Sequence, residues 1–445
     1  MKIFIAGAGE VGKHLAKLFV EGEHEVMLMD EDRDKLDEVA RRLDLMTHCG
    51  QMTSIEALRS AEVGECDLFI AVPPYPDMSI LAAILAKQLG ANTTIARVNN
   101  SEYLQKENLY FFRQLGIDEL IYPERLGADE VVEALKRAGI RQMFESSDGQ
   151  LALTVIKVRD NAPIINIPLM NLDAHSRHSY NLVAINRRGE TIIPHGSDAL
   201  QNNDLGYFVT THQNIPSILT DCGKEQKQIS NVMIVGGSRL ARLMAHDLED
   251  KYNVKLIEIS REKSNRLANE LERTLIINGD GRNMQLLRDE GITKMDAFIA
   301  VTDNSEINIL ACQLAKKFGV VKTVAEVENL DYIPLAEEIG IGTVINKKLI
   351  AASYIYRHTL LSQSSYIKYL SSTNAEMLEL VAQEGSKITK TPIRELSLPK
   401  DVNIGGLVRN GEPIIVDGST KIEVNDKVLI FATQQSIHKI EKLFV

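Results

Sequence analysis

Lys2-Ile3-Phe4-Ile5-Ala6-Gly7-Ala8-Gly9-Glu10-Val11-Gly12 opens the chain, and Val232-Met233-Ile234-Val235-Gly236-Gly237-Ser238-Arg239-Leu240-Ala241 repeats its plan in the second half. Each stretch is a short apolar run of strand-forming residues that ends in a glycine turn and passes into a helical pattern. Gly7 and Gly236 stand 229 residues apart. The same offset carries Gly50 onto Gly279, Asp67 onto Asp296, Ala71-Val72 onto Ala300-Val301, and Ile95-Ala96-Arg97-Val98 onto Val324-Ala325-Glu326-Val327. An offset that holds over so much of the chain marks a duplicated module.

Outward from the first turn, apolar runs at 2–6, 25–29, 45–48, 68–72 and 94–98 alternate with amphipathic stretches at 13–21, 34–42, 54–61 and 78–89. Near-continuous apolar strands separated by helices predict a parallel sheet covered on both faces. A further strand near 120–122 and a helix over 127–138 complete the unit, which recurs from 231 to about 365. Between the two copies the period drops to two: 151–158, 182–185, 190–193 and 207–210 read as a small antiparallel sheet. It recurs at 377–381, 404–408, 411–415 and 428–431, with Gly189, Gly196 and Asp204 matching Gly411, Gly418 and Asp426 at an offset of 222. The predicted class is therefore α/β: two Rossmann-like, doubly wound parallel-sheet domains, each followed by a small β-rich α+β domain. The expected domains are 1–140, 141–222, 229–365 and 366–445, with the charged segment 221–230 as linker.

The 445 residues are 44% hydrophobic and 25% charged, ordinary for a soluble globular chain. A net charge of −11 argues against a nucleic-acid partner, which would need clustered cations to neutralise phosphates. The four cysteines lie far apart, without the paired spacing of zinc or redox motifs, and no metal ligand set is expected. His175, Arg177 and His178 read as a solvated polar loop. The chain starts directly in a strand and holds no apolar run near the ~20 residues that cross a bilayer, so a cytoplasmic location is expected.

The first turn carries the full dinucleotide fingerprint. Gly7 permits the tight turn, Gly9 lets backbone N–H groups approach a pyrophosphate, and Gly12 allows strand and helix to pack closely. Ala8, Glu10 and Val11 complete the phosphate loop, with Glu10 read as solvent-facing. Asp30, ending the second strand, stands where an adenosine ribose would be hydrogen-bonded and would repel a 2′-phosphate, which favours NAD(H) over NADP(H). Pro73 and Pro74, after the fourth strand, lie on the ligand edge of such a sheet, and Arg97-Val98 end the fifth. Arg97 would pair with a phosphate or with an acidic side chain. In the second copy Ser238 replaces the second glycine, Ala241 the third, Glu258 stands for Asp30, and Glu326 for Arg97. Gly236, Gly237, Ser238, Arg239, Leu240 and Glu258 thus form a second candidate site, either occupied by a weaker or different ligand or empty. No catalytic cluster accompanies either turn.

Two tandem units of this kind, taken with Asp67-Leu-Phe-Ile-Ala-Val72, Ile95-Ala-Arg-Val98, Lys255-Leu-Ile-Glu258, Asp296-Ala-Phe-Ile-Ala-Val-Thr302 and Asp426-Lys-Val-Leu-Ile-Phe431, resemble the TrkA family of Trk potassium-uptake regulators, built from RCK (KTN) domains. The resemblance implies a non-enzymatic regulatory subunit on the inner face of the membrane, beneath a TrkH- or TrkG-like potassium channel subunit. It implies NAD(H), and possible ATP or ADP, at Gly7 to Val11, Asp30, Pro73-Pro74 and Arg97-Val98, with Gly236 to Leu240 and Glu258 as the second site. Pro73-Pro74 departs from the Thr or Ser usual after the fourth strand, which Thr302 keeps. Self-association into a dimer or ring is expected, with 99–115 and 329–339 as packing surfaces. The alternatives are an NAD-dependent oxidoreductase with a duplicated Rossmann unit and a soluble nucleotide sensor with another partner.

Overall fold

The computed structural model describes residues 1–136, 139–146, 148–172, 179–224, 228–360, 366–369 and 375–444. The segment holding His175, Arg177 and His178 lies outside them. The first sheet contains β1 (Lys2–Ala6), β2 (Glu25–Asp30), β3 (Met46–Cys49), β4 (Leu68–Ala71), β5 (Thr93–Arg97) and β6 (Glu119–Ile121). All its pairs are parallel, in the order β3-β2-β1-β4-β5-β6. The order of strand addition reverses between β1 and β4, so the connections that follow these two strands run to opposite sides and leave the crevice where such sheets hold ligands. The helix Glu10–Glu21 after β1 buries Val11, Leu15, Leu18 and Phe19, the spacing of one helical face.

The second parallel sheet repeats this order strand for strand. β12 (Asn231–Val235), β13 (Asn253–Glu258), β14 (Leu275–Asn278), β15 (Ala297–Ala300), β16 (Lys322–Glu326) and β17 (Thr343–Ile345) run β14-β13-β12-β15-β16-β17. The matched aspartates prove structural. Asp67 accepts the Lys2 amide at 2.8 Å, and Asp296 accepts the amides of Ser230 and Asn231 at 3.0 and 2.9 Å, so each pins the start of its central strand.

Two antiparallel sheets complete the fold. The first holds β7 (Gln142–Glu145), β8 (Ala152–Lys157), β9 (Tyr180–Arg187), β10 (Glu190–Ile192) and β11 (Leu205–Thr210), ordered β10-β9-β11-β8-β7. The second holds β18 (Tyr366–Tyr369), β19 (Ala375–Val381), β20 (Val402–Arg409), β21 (Glu412–Ile415) and β22 (Lys427–Thr433), ordered β18-β19-β22-β20-β21. β7 and β18 are leading strands that the sequence pattern did not predict. The β11–β9 register slips between Tyr207 and Phe208, and the β22–β20 register slips around Gly405, so both sheets carry a bulge at the same repeat position.

The two antiparallel sheets share one core. Phe144, Tyr207, Met377 and Phe431 lie in the same buried cluster, with the Tyr207 and Phe431 rings 5.9 Å apart. Asn181 Nδ2 donates to the Ile404 carbonyl at 3.0 Å. A Cβ on Gly405 would fall 2.3 Å from Val209 Cγ2 and 3.0 Å from Val183 Cγ1. Gly405→Val is therefore expected to lower unfolding stability by about 2 kcal/mol through overpacking, read from the urea midpoint. An unchanged midpoint would show that the sheets separate without cost.

By compactness the chain divides into Met1–Asp129 with Asn346–Thr359, and Glu130–Ile345 with Leu360–Val445. The helices Pro123–Lys136 and Lys347–Leu360 each contribute residues to both units. Within the first unit Tyr356 packs its ring 5.2 Å from that of Phe19, and the Tyr354 hydroxyl donates to Glu119 at 3.3 Å. No helix among the described residues is long and apolar enough to cross a membrane.

Candidate functional site

At the end of β1 the backbone turns through Gly7, whose φ of +114° is open to glycine and strained for other residues. A Cβ there would also lie 3.2 Å from the Pro73 nitrogen and from the Val72 carbonyl carbon, so the turn abuts the loop after β4. Gly12, within the first turn of the helix, sits so close to the loop that a Cβ would fall 1.8 Å from the Gly7 carbonyl oxygen. Gly9 is different. It is the N-cap of Glu10–Glu21, no side chain caps that helix, and among the described residues a Cβ on Gly9 would meet nothing within 4 Å. The unpaired amides of the first turn and the positive end of the helix dipole therefore face an open seat that suits an anion.

Asp30 closes the other side. Its carboxylate accepts the Ala8 amide at 2.7 Å and the Asp32 amide at 3.0 Å, and it is 9% exposed. One oxygen thus clamps the phosphate loop to the end of β2, and each oxygen keeps a lone pair for a hydroxyl donor. Ala8 and Val11 are buried, whereas Glu10 is exposed. Pro73 is buried under the turn and Pro74 is exposed beside it. Arg97 is half-buried at the end of β5, and Val98 is buried, its amide donating to the Ile121 carbonyl at 2.8 Å. The fold thus brings Gly7 to Gly12, Asp30 and Pro73-Pro74 to one crevice edge, with Arg97 at the carboxyl end of a neighbouring strand.

The second turn shares the scaffold and differs at the seat. Gly236 has φ +103°, and a Cβ there would lie 2.8 Å from the Val301 carbonyl oxygen. Glu258 accepts the amides of Gly237 at 2.5 Å and Ser260 at 2.7 Å, the same pair of bonds that Asp30 makes. Its longer side chain fills the space beside Gly237, where a Cβ would come within 2.7 Å of the carboxylate. Ser238 caps the following helix, its hydroxyl accepting the Ala241 amide at 3.2 Å. A donor left for a ligand in the first copy is thus taken by the protein in the second. Arg239 is exposed and Leu240 buried. Thr302 donates its hydroxyl to Asn308 Oδ1 at 2.7 Å, and Asn308 in turn holds the carbonyls of Thr302 and Glu326. That network orders the loop which Pro73-Pro74 stiffens in the first copy.

Residues missed by sequence reasoning lie in the small domains. Arg187 binds Asp204 through Nε at 3.0 Å and Nη2 at 2.8 Å, and Arg409 binds Asp426 at 2.9 and 2.7 Å. The offset of 222 that matched the aspartates also matches the arginines and would have found them. No group of three His, Cys, Asp or Glu among the described residues could hold a metal ion.

Residues 3–123 and 232–347 match the TrkA-N domain family, and residues 377–445 match the TrkA-C domain. The Trk system potassium uptake protein TrkA of Haemophilus influenzae is 31% identical over 451 residues, covering 100% of this chain and 98% of that protein. Its namesake from Vibrio alginolyticus is 30% identical over the same coverage. Among solved structures, the GsuK RCK domain superposes with a TM-score of 0.60 at 15% identity, covering 100% of this chain and 94% of that one. The GsuK channel bound to NAD matches with a TM-score of 0.60 at 15% identity, covering 100% of this chain and 78% of that one. At that identity the likeness shows the fold.

Proposed function

This chain belongs to the TrkA family, and from that premise we propose that it is a nucleotide-binding regulatory subunit of a Trk-type potassium uptake system. The observation that carries the nucleotide part is the open, uncapped helix N-terminus at Gly9, set beside the buried carboxylate of Asp30. NAD(H) is the favoured ligand there, with its pyrophosphate on the amides after Gly9 and a ribose hydroxyl on Asp30; ATP or ADP would use the same seat. The second site, capped by Ser238, is expected to bind more weakly or to stay empty.

The protein would work at the inner face of the membrane on a TrkH- or TrkG-like channel subunit, without chemistry of its own. Copies would associate into a dimer or ring. In support, Tyr110 and Phe111 on the helix Lys106–Gln114 and Leu335 on the helix Tyr332–Glu338 are large apolar side chains left more than half exposed, at 65%, 55% and 51%. A nucleotide would shift the gate by as much as its affinity differs between two arrangements of the ring.

The test is calorimetric titration of NADH, NAD, ATP and ADP into the intact protein and into Asp30→Ala. Micromolar binding without turnover, weakened at least about tenfold in the variant, is the expected result, since the change frees the phosphate loop and removes a charged acceptor. Binding indifferent to the substitution would transfer the working site to the second copy. Consumption of NADH would restore the oxidoreductase reading, and a strict monomer by light scattering would remove the ring.

A further inference from the structure

Away from both glycine turns, the second compact unit holds a cleft of about 890 Å³. Six cations line it: Arg141, Lys157, Arg159, Lys224, Lys316 and Lys322, against one lining carboxylate, Asp160. In a chain of net charge −11 this is a local inversion of sign. None of the six forms an ion pair among the described residues. Four of them bond to backbone oxygens: Lys224 Nζ to Gly139 at 2.5 Å, Lys322 Nζ to Ile140 at 3.0 Å, Lys316 Nζ to Gly340 at 2.8 Å, and Arg141 Nη2 to Ile341 at 2.8 Å. These bonds hold the cationic heads in place and neutralise none of them. Each ammonium retains donors beyond the one used.

The groups act on one another. Burial, then Lys224 and Arg141, lower Lys322 to about 7, against a weak opposing pull from Glu130. Burial, then Arg159, Arg141 and Lys157, lower Lys224 to about 8, with Cys222 opposing. Lys157 and Lys316 are shifted the same way, first by burial and then by neighbouring cations. Glu337, which acts on Arg141, is itself raised by burial and so offers little compensating charge.

We propose that this cleft binds a compound carrying several phosphate charges. An apolar or neutral ligand would leave the cations uncompensated, and a single carboxylate would meet only part of the array. The volume falls within the roughly 300–1,000 Å³ of small-molecule sites, and no aromatic side chain lines it to stack a base, so recognition rests on phosphate. Residues of the first small domain (Lys157, Arg159), of the linker (Lys224) and of the second parallel-sheet domain (Lys316, Lys322) face the same ligand, so its binding fastens those parts of the unit together. The site shares no residue with either glycine turn.

Tripolyphosphate titrated into the full-length protein, with binding read by calorimetry and by thermal unfolding, tests this. Binding is expected with a rise in melting temperature. It should weaken at least about tenfold in the double variant Lys157→Gln/Arg159→Gln, whose side chains make no hydrogen bond among the described residues, while NADH titration is unchanged. Binding recharges Lys322 and Lys224, so at about pH 8 it takes up protons, and affinity falls from about pH 7 to about pH 9. Calorimetric heats should accordingly depend on the ionisation enthalpy of the buffer. Co-sedimentation with vesicles containing cardiolipin, whose headgroup carries two phosphates, lost in the double variant and not matched by tripolyphosphate, would support the site and assign it to a lipid headgroup. Equal binding by wild type and double variant, or no binding of either probe at millimolar phosphate, would overturn the proposal.

Discussion

Gly9→Asp is expected to leave the melting temperature of the ligand-free protein unchanged and to lower nucleotide affinity at the first site by two orders of magnitude or more. The geometry separates the two effects. A side chain at position 9 enters open space, so folding is not opposed, whereas its carboxylate occupies the anion seat at the helix N-terminus. Two like charges about 4 Å apart repel by ~4 kcal/mol at an effective dielectric near 20, which exceeds a hundredfold in affinity. Gly12→Ala should behave in the opposite way. Its methyl group would lie 1.8 Å from the Gly7 carbonyl oxygen, and the turn must shift to admit it, at about 3 kcal/mol of stability. Differential scanning calorimetry with and without NADH reads both variants. If Gly9→Asp binds NADH normally, the seat is elsewhere; if Gly12→Ala melts like wild type, the turn is looser than its packing indicates.

The second large effect is expected in the small domains. Asp204 and Asp426 are 2% and 1% exposed, and each binds a guanidinium through both oxygens while also accepting a backbone amide, from Gln201 and from Glu423 at 2.7 Å. Removing one partner of a buried pair leaves the other uncompensated, at 3–5 kcal/mol. Because Arg187 and Arg409 are partly exposed, with side chains 28% and 25% accessible, we expect about 3 kcal/mol for Asp204→Ala and a smaller loss for Asp426→Ala, after which Glu423 still pairs with Arg409 at 2.7 Å. Asp204→Asn should cost less, because its amide oxygen can still accept from the Gln201 amide. Urea unfolding measures all three. A loss below about 1 kcal/mol for Asp204→Ala would place the pair among ordinary surface bridges.

Much of this architecture was legible because it depends on short-range periodicity. The glycine turn, the apolar strands and the amphipathic helices each declare themselves within about a dozen residues, and the offsets of 229 and 222 verify them twice. The first helix still begins earlier than its pattern suggested, at Glu10 in place of residue 13, because Gly9 already has the extended geometry of a cap. β7 and β18 escaped notice because they are four-residue strands that each pair with one neighbour. At the candidate site, the three glycine roles and the placement of Asp30 could be read directly. That Asp30 clamps the Ala8 amide, and that Ser238 consumes its own helix end, could not, since both are bonds between atoms whose meeting depends on tertiary placement. The cationic cleft was hidden for the same reason: its members are scattered from Arg141 to Lys322 in a chain whose overall charge has the other sign.

The helix Lys347–Leu360 gives the duplication an unexpected seam. Copying a gene segment would leave two halves that could be cut apart at the repeat boundary and expected to stand alone. Here the first half completes its own interior with residues encoded more than a hundred positions beyond that boundary, since Tyr356 covers Phe19 and Tyr354 reaches Glu119. A fragment ending near residue 222 would keep every residue of the first candidate nucleotide site and yet lose a wall of its core; uncovering a buried phenylalanine costs roughly 1.5–3 kcal/mol. The first half's core is finished by a helix encoded in the second, so a cut at the repeat boundary would divide a folding unit.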